Sequence, residues 1–451
     1  MKKISYVTLG CKLNYAETST YQRGLAAYGW ESVSWTSGEA DVFLVNTCSV
    51  TEHSDKKSRN IIRKLHRINP LASIVVTGCS AELRREEISR IEGVSRVFGA
   101  NEKAAVAAYI NGLKGETEGA AAETDCAKGN YFGAYSSSER TRSFLKVQDG
   151  CDYKCHYCTV PYARGESRNE PISDIVEKAE AIAQSGIKEI VVTGVNTGDF
   201  GKSTGESFFS LLQALSRVEG IERYRISSIE PNLLTEEIVD WIATGTSKIL
   251  PHFHIPLQSG SDTILENMGR RYRTADFAAK IAYIREKLQT EGKQKVFFGI
   301  DVIVGFPGET DELFEQTYSF LRDVIKPAFI HIFPYSKRPG TPAAERKDQV
   351  QDSIKTLRVK RLEDLCESLH EEFLASNKGL KSKVLFENQS VVGRKNAEWP
   401  SFVTAVFAGQ TLGKVGVLAH GVAQVGKITM LYARLVAGFL CEVYGFFEAE
   451  M

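Results

Sequence analysis

Short runs of β-branched residues recur along this chain, and stretches of helical spacing separate them. In the first 113 residues the runs are Ile4–Leu9, Val42–Val45 and Ile74–Val76, each predicted as a strand; the helical stretches are Tyr15–Tyr28, Glu52–Leu65 and Glu82–Ile91. Strands that alternate with helices need crossover connections, and these build a parallel sheet. Residues 114–136 interrupt the pattern with small and acidic residues, Gly115-Glu-Thr-Glu-Gly-Ala-Ala-Ala-Glu-Thr124, which bury little and read as a linker. From 137 to 368 the alternation resumes, with strands predicted at Phe144–Val147, Glu189–Thr193, Arg223–Ser227, His252–Leu257, Val296–Val304 and Ala328–Phe333. Helical stretches such as Ile172–Gln184, Phe208–Arg217 and Leu313–Leu321 lie between them. Six strand–helix steps fall short of the eight that close a full barrel, so a partial (β/α)6 barrel is expected. Residues 377–451 change to short alternating runs with many glycines, the pattern of a small antiparallel β-barrel. The expected class is α/β: an N-terminal parallel α/β domain, a central partial barrel and a C-terminal β-barrel.

Composition adds limits to this outline. A chain of 451 residues suits roughly three domains. The 56 Lys+Arg and 56 Asp+Glu cancel, so any nucleic-acid contact has to come from a local basic patch. The apolar run at the start ends at Lys12, too short for a secretory signal, and the late apolar stretch Ile428–Phe447 is broken by Arg434 and Glu442. A cytoplasmic protein with no membrane partner is expected. Nine cysteines, an odd number in a long chain, argue against a disulfide scaffold and for a reduced compartment.

Position sorts those cysteines. Cys151-x3-Cys155-x2-Cys158 follows the predicted strand that ends in Val147. Three thiolates this close can hold three irons of a [4Fe-4S] cube and leave the fourth open to a chelating small molecule. A structural zinc is the competing reading; it asks for four ligands, and His156, between two of the cysteines, offers poor geometry. Cys11, Cys48 and Cys79 lie far apart in sequence, yet each comes just after a predicted strand. In a parallel sheet those strand ends share one edge, where open α/β sheets place ligands, so three thiols can converge there. Buried free thiols are also common packing residues. Cys126, Cys366 and Cys441 have no partner motif and no role is assigned to them.

The string Gly150-Cys-Asp-Tyr-Lys-Cys-His-Tyr-Cys-Thr-Val-Pro-Tyr-Ala-Arg-Gly165 resembles the radical S-adenosylmethionine (SAM) superfamily and, within it, the methylthiotransferase family. So do Pro256-Leu-Gln-Ser-Gly-Ser261, Asp301-Val-Ile-Val-Gly-Phe-Pro-Gly-Glu-Thr310 and Phe333-Pro-Tyr-Ser-Lys-Arg-Pro-Gly-Thr-Pro342. The resemblance reaches to about residue 370. It implies two [4Fe-4S] clusters, one on Cys151, Cys155 and Cys158 that binds SAM and, on receiving one electron, cleaves it to a 5′-deoxyadenosyl radical. The other, an auxiliary cluster on Cys11, Cys48 and Cys79, is implied to carry the sulfur. Residues at strand ends are candidates for the SAM pocket: Gly194, Asn196, Glu230, Gln258 and Gly305. Glycine admits close backbone approach and the polar groups can accept from ribose hydroxyls; the same residues also suit plain strand termini.

Thr8-Leu-Gly-Cys-Lys-Leu-Asn-Tyr-Ala-Glu-Thr18 and Ser227-Ser-Ile-Glu-Pro231 resemble the branch that acts on N6-threonylcarbamoyladenosine beside the tRNA anticodon. Other branches act on isopentenyladenosine in tRNA or on a ribosomal protein. The implied product is the 2-methylthio derivative, with an electron donor and a sulfur source that the chain does not identify. Between Thr51 and Pro70 six Lys/Arg face two acids, and Lys56, Arg59, Arg63 and Arg67 share a helical face that suits phosphate contact or plain solvation. Arg270, Arg271 and Arg273 form a second basic cluster, a candidate for phosphate or for the threonyl carboxylate. The C-terminal segment loosely resembles the TRAM RNA-binding barrel. A non-catalytic zinc-containing RNA-binding protein is the reading from another class.

Overall fold

The structure, a computed structural model, describes residues 2–113, 131–137, 142–289 and 295–377, and the backbone of five strands beyond residue 380. Five strands form the first sheet: β1 (Lys3–Thr8), β2 (Glu31–Ser32), β3 (Val42–Thr47), β4 (Ser73–Gly78) and β5 (Val94–Val97). Their order is β2–β1–β3–β4–β5 and every pair is parallel. All six residues of the central β3 are buried, as expected of a strand covered on both faces. Helices Lys12–Ala27 and Glu52–Ile68 make the first two crossovers. The third is broken into Cys79–Leu83 and Arg85–Ser89 rather than the single helix expected over Glu82–Ile91. β5 went unpredicted because its pattern is half exposed: Ser95 and Arg96 face solvent.

The next seven strands are β6 (Ala134–Tyr135), β7 (Arg142–Lys146), β8 (Glu189–Thr193), β9 (Arg223–Ile226), β10 (His252–Gln258), β11 (Phe297–Val304) and β12 (Phe329–Pro334). β7–β8–β9 and β10–β11–β12 are parallel sheets, and the bridges Tyr224–Ile249 and Ser228–His254 join them edge to edge. The result is one curved run of six parallel strands, the partial barrel. Its outer face, from Leu145 on β7 to Ile330 on β12, packs beneath the helices in one large apolar core. The end of the expected linker is structured: Ala134–Tyr135 adds an antiparallel strand to β7, because Phe132 and Ala134 have apolar partners in the first domain and in the barrel. Residues 114–130, with Cys126, lie outside the described residues.

The last barrel helix runs Asp352–Ser376 and buries Cys366 against β12, where the Ile330 amide donates to its sulfur at 3.2 Å. That thiol is a packing residue. Beyond it, β13 (Lys381–Ser390), β14 (Phe402–Phe407), β15 (Gln410–Val417), β16 (Leu431–Val436) and β17 (Leu440–Tyr444) pair in the order β13–β14–β15–β17–β16 and close back on β13. Only β15–β17 is parallel. Among the described residues no helix is long and apolar enough to cross a membrane.

Candidate active site

β1, β3 and β4 are neighbours, so the turns that follow them lie side by side. Cys11 caps the helix after β1, Cys48 follows β3, and Cys79 opens the short helix after β4. Two glycines permit the approach. Gly10 has φ +97°, and a Cβ there would sit 2.5 Å from the Cys48 Cβ. Gly78 has φ +103°, and its Cβ would collide with the Thr47 carbonyl oxygen. Burial pushes the Cys48 thiol up to about 11, and the nearby Cys11 and Cys79 sulfurs add to the rise. Three thiols at neighbouring strand ends, whose charges act on one another without the sulfurs closing on a single point, suit a cluster that holds them as thiolates better than one ion.

The second triple is built on the loop after β7. Each of its sulfurs has an N–H donor: Tyr153 N–H to Cys151 at 3.4 Å, Val160 N–H to Cys158 at 3.4 Å, and the Arg270 guanidinium to Cys155 at 3.2 Å. Burial raises the Cys151 thiol to about 11 and the Cys158 thiol to about 12. Groups so desolvated ionise only on binding metal, and the donors are aimed at the charge that then develops. His156 supplies no fourth ligand, since its Nδ1 is 2.7 Å from the Asn267 carbonyl oxygen and its ring packs on Gly269. Three sulfurs and no fourth protein ligand suit a cluster with one open iron better than a structural zinc. When bound, such a cluster with SAM supplies the radical; this chain supplies the thiolates, the donors and the enclosure.

Arg164 links the two triples. It ends the short helix Val160–Arg164, six residues after Cys158, and is 3% exposed. Its Nε donates to the Cys79 sulfur at 3.2 Å, and one terminal nitrogen donates to Asn14 Oδ1 at 2.7 Å. The other donates to Glu17 at 3.2 Å and Asp149 at 2.9 Å. Lys103 and Lys146 also meet Glu17, at 2.7 and 2.9 Å, and Lys146 meets Asp149 at 2.6 Å. Burial alone would raise both acids, but Lys103, Lys146 and Arg164 hold Glu17 below the usual carboxylate range, and Arg164, Lys146 and Lys103 do the same for Asp149. With Arg168 3.7 Å from Asp149, two carboxylates thus face four cations in a buried interface, leaving surplus positive charge beside the first triple. Sequence reasoning missed these residues. Arg164 sits inside the cysteine-bearing string, but nothing in a sequence shows that a charged residue is buried.

The five candidates for the SAM pocket all lie at the C-terminal ends of β8–β11, on the rim that also carries the Cys151–Cys158 loop. Gly194 lets the Gln148 side chain close in, since a Cβ would stand 2.9 Å from its Oε1. The Asn196 amide donates to that same oxygen at 2.9 Å, and the Asn196 side-chain oxygen is buried with no hydrogen-bond partner among the described residues. Glu230 is ion-paired to Arg270. Gln258 adopts φ +68° at a bulge between β10 and β11, which turns its side chain away from the strand's alternation. Gly305 turns its Cα toward Lys355 and so offers only backbone. Of the basic cluster after Met268, Arg270 is buried and engaged as above, whereas Arg271, stacked over Tyr153 at 3.8 Å, and Arg273, 3.3 Å from Glu266, are exposed. Arg270 therefore serves the cysteine loop rather than a carboxylate from outside.

On β10–β12 the concave face of the barrel is polar. His254 Nε2 lies 2.6 Å from Asp301 Oδ1, and the His254 ring stacks on His331 with centroids 4.7 Å apart. Burial drives the His331 imidazole down from 6.5 to about 4; His254 and Lys12 lower it further while Asp301 opposes them. Between those two pH values the unfolded chain binds the extra proton, so stability is full above about pH 6.5 and falls as pH drops toward 4. Urea unfolding is expected to show that decline, and His331→Asn to flatten it.

Comparison with known proteins adds the ancestry of this arrangement. Residues 145–321 match the radical SAM superfamily, and residues 3–99 match the uncharacterized protein family UPF0004. The chain is 39% identical to threonylcarbamoyladenosine tRNA methylthiotransferase MtaB of Bacillus subtilis over 83% of its length and 82% of the relative's. It is 31% identical to tRNA-2-methylthio-N(6)-dimethylallyladenosine synthase of Hydrogenobaculum over 85% and 88%. The radical SAM methyltransferase TsrM of Kitasatospora setae shares the fold, with TM-score 0.54 and 16% identity over 76% of this chain and 77% of that one. Two cysteine triples on two α/β units, with relatives of this identity and coverage, show that the chain belongs to the radical SAM methylthiotransferases, transferases that use SAM and two [4Fe-4S] clusters.

Proposed function

We propose that this protein converts N6-threonylcarbamoyladenosine beside the tRNA anticodon to its 2-methylthio derivative. The observation that carries the proposal is the link between the two cysteine triples at Arg164, which donates to the Cys79 sulfur while the next residue, Gly165, accepts from the Cys151 amide at 3.0 Å. Cys151, Cys155 and Cys158 hold the SAM-binding cluster, and Cys11, Cys48 and Cys79 hold the auxiliary one. Gly194, Asn196, Glu230, Gln258 and Gly305 line the SAM pocket. An aromatic C–H bond offers no acid–base handle, and a radical is the chemistry that opens it. The threonylcarbamoyl branch is supported by the higher identity to the relative named for that substrate, 39% against 31%.

The division of labour follows the domains: residues 1–113 bear the auxiliary triple, 137–368 form the radical SAM core, and 377–451 form a TRAM-like barrel that binds tRNA. A cytoplasmic electron donor and a sulfur source complete the cycle. Mass spectrometry of tRNA nucleosides from cells with and without the protein tests the assignment. Loss of 2-methylthio-N6-threonylcarbamoyladenosine alone supports it, whereas loss of the dimethylallyl product alone moves the protein to the other branch.

The stripe on helix Glu52–Ile68 contributes to RNA contact. Arg59 is taken by Glu87 at 3.1 Å, but Lys56, Arg63 and Arg67 are exposed and carry no ion pair among the described residues. Reversing those three to Glu is expected to raise KM for tRNA and to lower the salt slope by about one for each phosphate no longer neutralised. Titrating kcat/KM against salt reads both.

A further inference from the structure

Strand alternation decides what faces the hollow of the barrel. Leu145, Ile190, Val192, Tyr224, Ile226, Phe253, Ile255, Ile300, Val302 and Ile330 point outward into the core beneath the helices. Their neighbours therefore point inward: Phe144, Val191 and Arg225 in register on β7–β9, and His254, Asp301 and His331 on β10–β12. Helix Lys12–Ala27 of the first domain lies over this concave face. Tyr15 meets Phe144 edge-on with centroids 5.7 Å apart, and Ala16 packs with Phe144 and Val191. Lys12, one turn before Ala16 on the same helical face, comes over the hollow too, where the charges of Arg225, Arg142 and Asp301 act on it.

Lys12 is accessible to solvent and makes no ion pair among the described residues, in a molecule whose other interior cations are paired. It is also the residue next to Cys11, so the group it binds is held against the first cysteine triple. His254, Asp301 and His331 bring three ligand atoms within 4.8 Å of one another and resemble a cation site. The acid is already bonded to His254, however, and Arg142 and Arg225 are taken by Glu189, which leaves Lys12 as the unpaired charge acting on both Asp301 and His331; a cation there would be repelled and an anion favoured.

We propose that Lys12 binds the carboxylate of the substrate's N6 substituent, with His331 bonding its polar neighbour, and that this pair selects an acidic threonylcarbamoyl group over an uncharged alkyl one. The inference rests on the substrate reading above and names the residues that enforce it. An alkyl substituent would leave the ammonium and the imidazoles without partners, the kind of mismatch that discriminates far better than shape in an apolar pocket.

The test uses the reconstituted full-length enzyme and three anticodon stem-loops, carrying N6-threonylcarbamoyladenosine, its methyl ester and N6-dimethylallyladenosine respectively. The wild type is expected to bind the acid at least about tenfold more tightly than the ester. Lys12→Met is expected to erase that preference, and Lys12→Arg to restore most of it. Equal binding of acid and ester by the wild type overturns the inference, even if the variants fail to assemble; so does a Lys12→Met enzyme, of normal iron content, that still prefers the acid. A wild type that methylthiolates only the dimethylallyl stem-loop takes down the substrate reading itself, and the inference with it.

Discussion

Alanine at Cys151, Cys155 and Cys158 is expected to abolish cleavage of SAM altogether, whereas alanine at Cys11, Cys48 and Cys79 is expected to spare cleavage and abolish sulfur transfer. The asymmetry follows from where each triple sits. The first-named set occupies the loop after β7, enclosed by Tyr153, Val160 and Arg270 on the rim of the barrel. The second set stands at the edge of a different sheet, reached from the barrel through Arg164 and helix Lys12–Ala27. Release of 5′-deoxyadenosine reads cleavage and nucleoside mass reads transfer. Iron should fall from about eight atoms per chain to about four in each triple variant. Cleavage that survives without the Cys151 loop would remove the assignment.

The second large effect concerns stability. Glu17→Ala is expected to cost about 3–5 kcal/mol, because it strips the shared partner from Lys103, Lys146 and Arg164 and leaves buried cations uncompensated. Glu17→Gln keeps the shape but removes the charge, and should cost nearly as much. An exposed pair such as Lys360 with Asp364 supplies the control, with a change of about 0–1 kcal/mol on removal. Chemical denaturation of the apo-protein compares the three, since the network is formed by side chains alone. A Glu17→Ala protein as stable as the wild type would mean that water reaches the interface and solvates the orphaned cations.

Much of the layout was legible in the sequence, for physical reasons that can be named. Strands buried on both faces announce themselves as unbroken β-branched runs, so Glu189–Thr193 was expected and found with the same bounds, as was helix Ile172–Gln184. Short edge elements were not legible: β2 and β5 carry exposed, mixed residues and owe their form to the neighbouring strand. The convergence of Cys11, Cys48 and Cys79 could be inferred because parallel sheets gather their strand ends at one edge. What joins that edge to the barrel could not be, since Glu17, Lys146, Asp149 and Arg164 look like surface residues until the fold buries them. The basic run at Arg270–Arg273 shows the opposite error. It reads as a substrate clamp in sequence, and in space its first arginine is spent on Cys155 and Glu230.

The buried charge network also limits how this enzyme can be rebuilt. Glu17 and Lys103 come from the first domain; Lys146, Asp149 and Arg164 come from the second. A chimaera that grafts a relative's first domain onto this barrel inherits one half of the charge balance from each parent. It will be sound only if the donor also supplies the segment from 146 to 168, which carries the matching charges and one cysteine triple. The natural unit of exchange is therefore not the domain but the domain plus that loop, cut within the chain between Arg168 and the start of helix Ile172–Gln184.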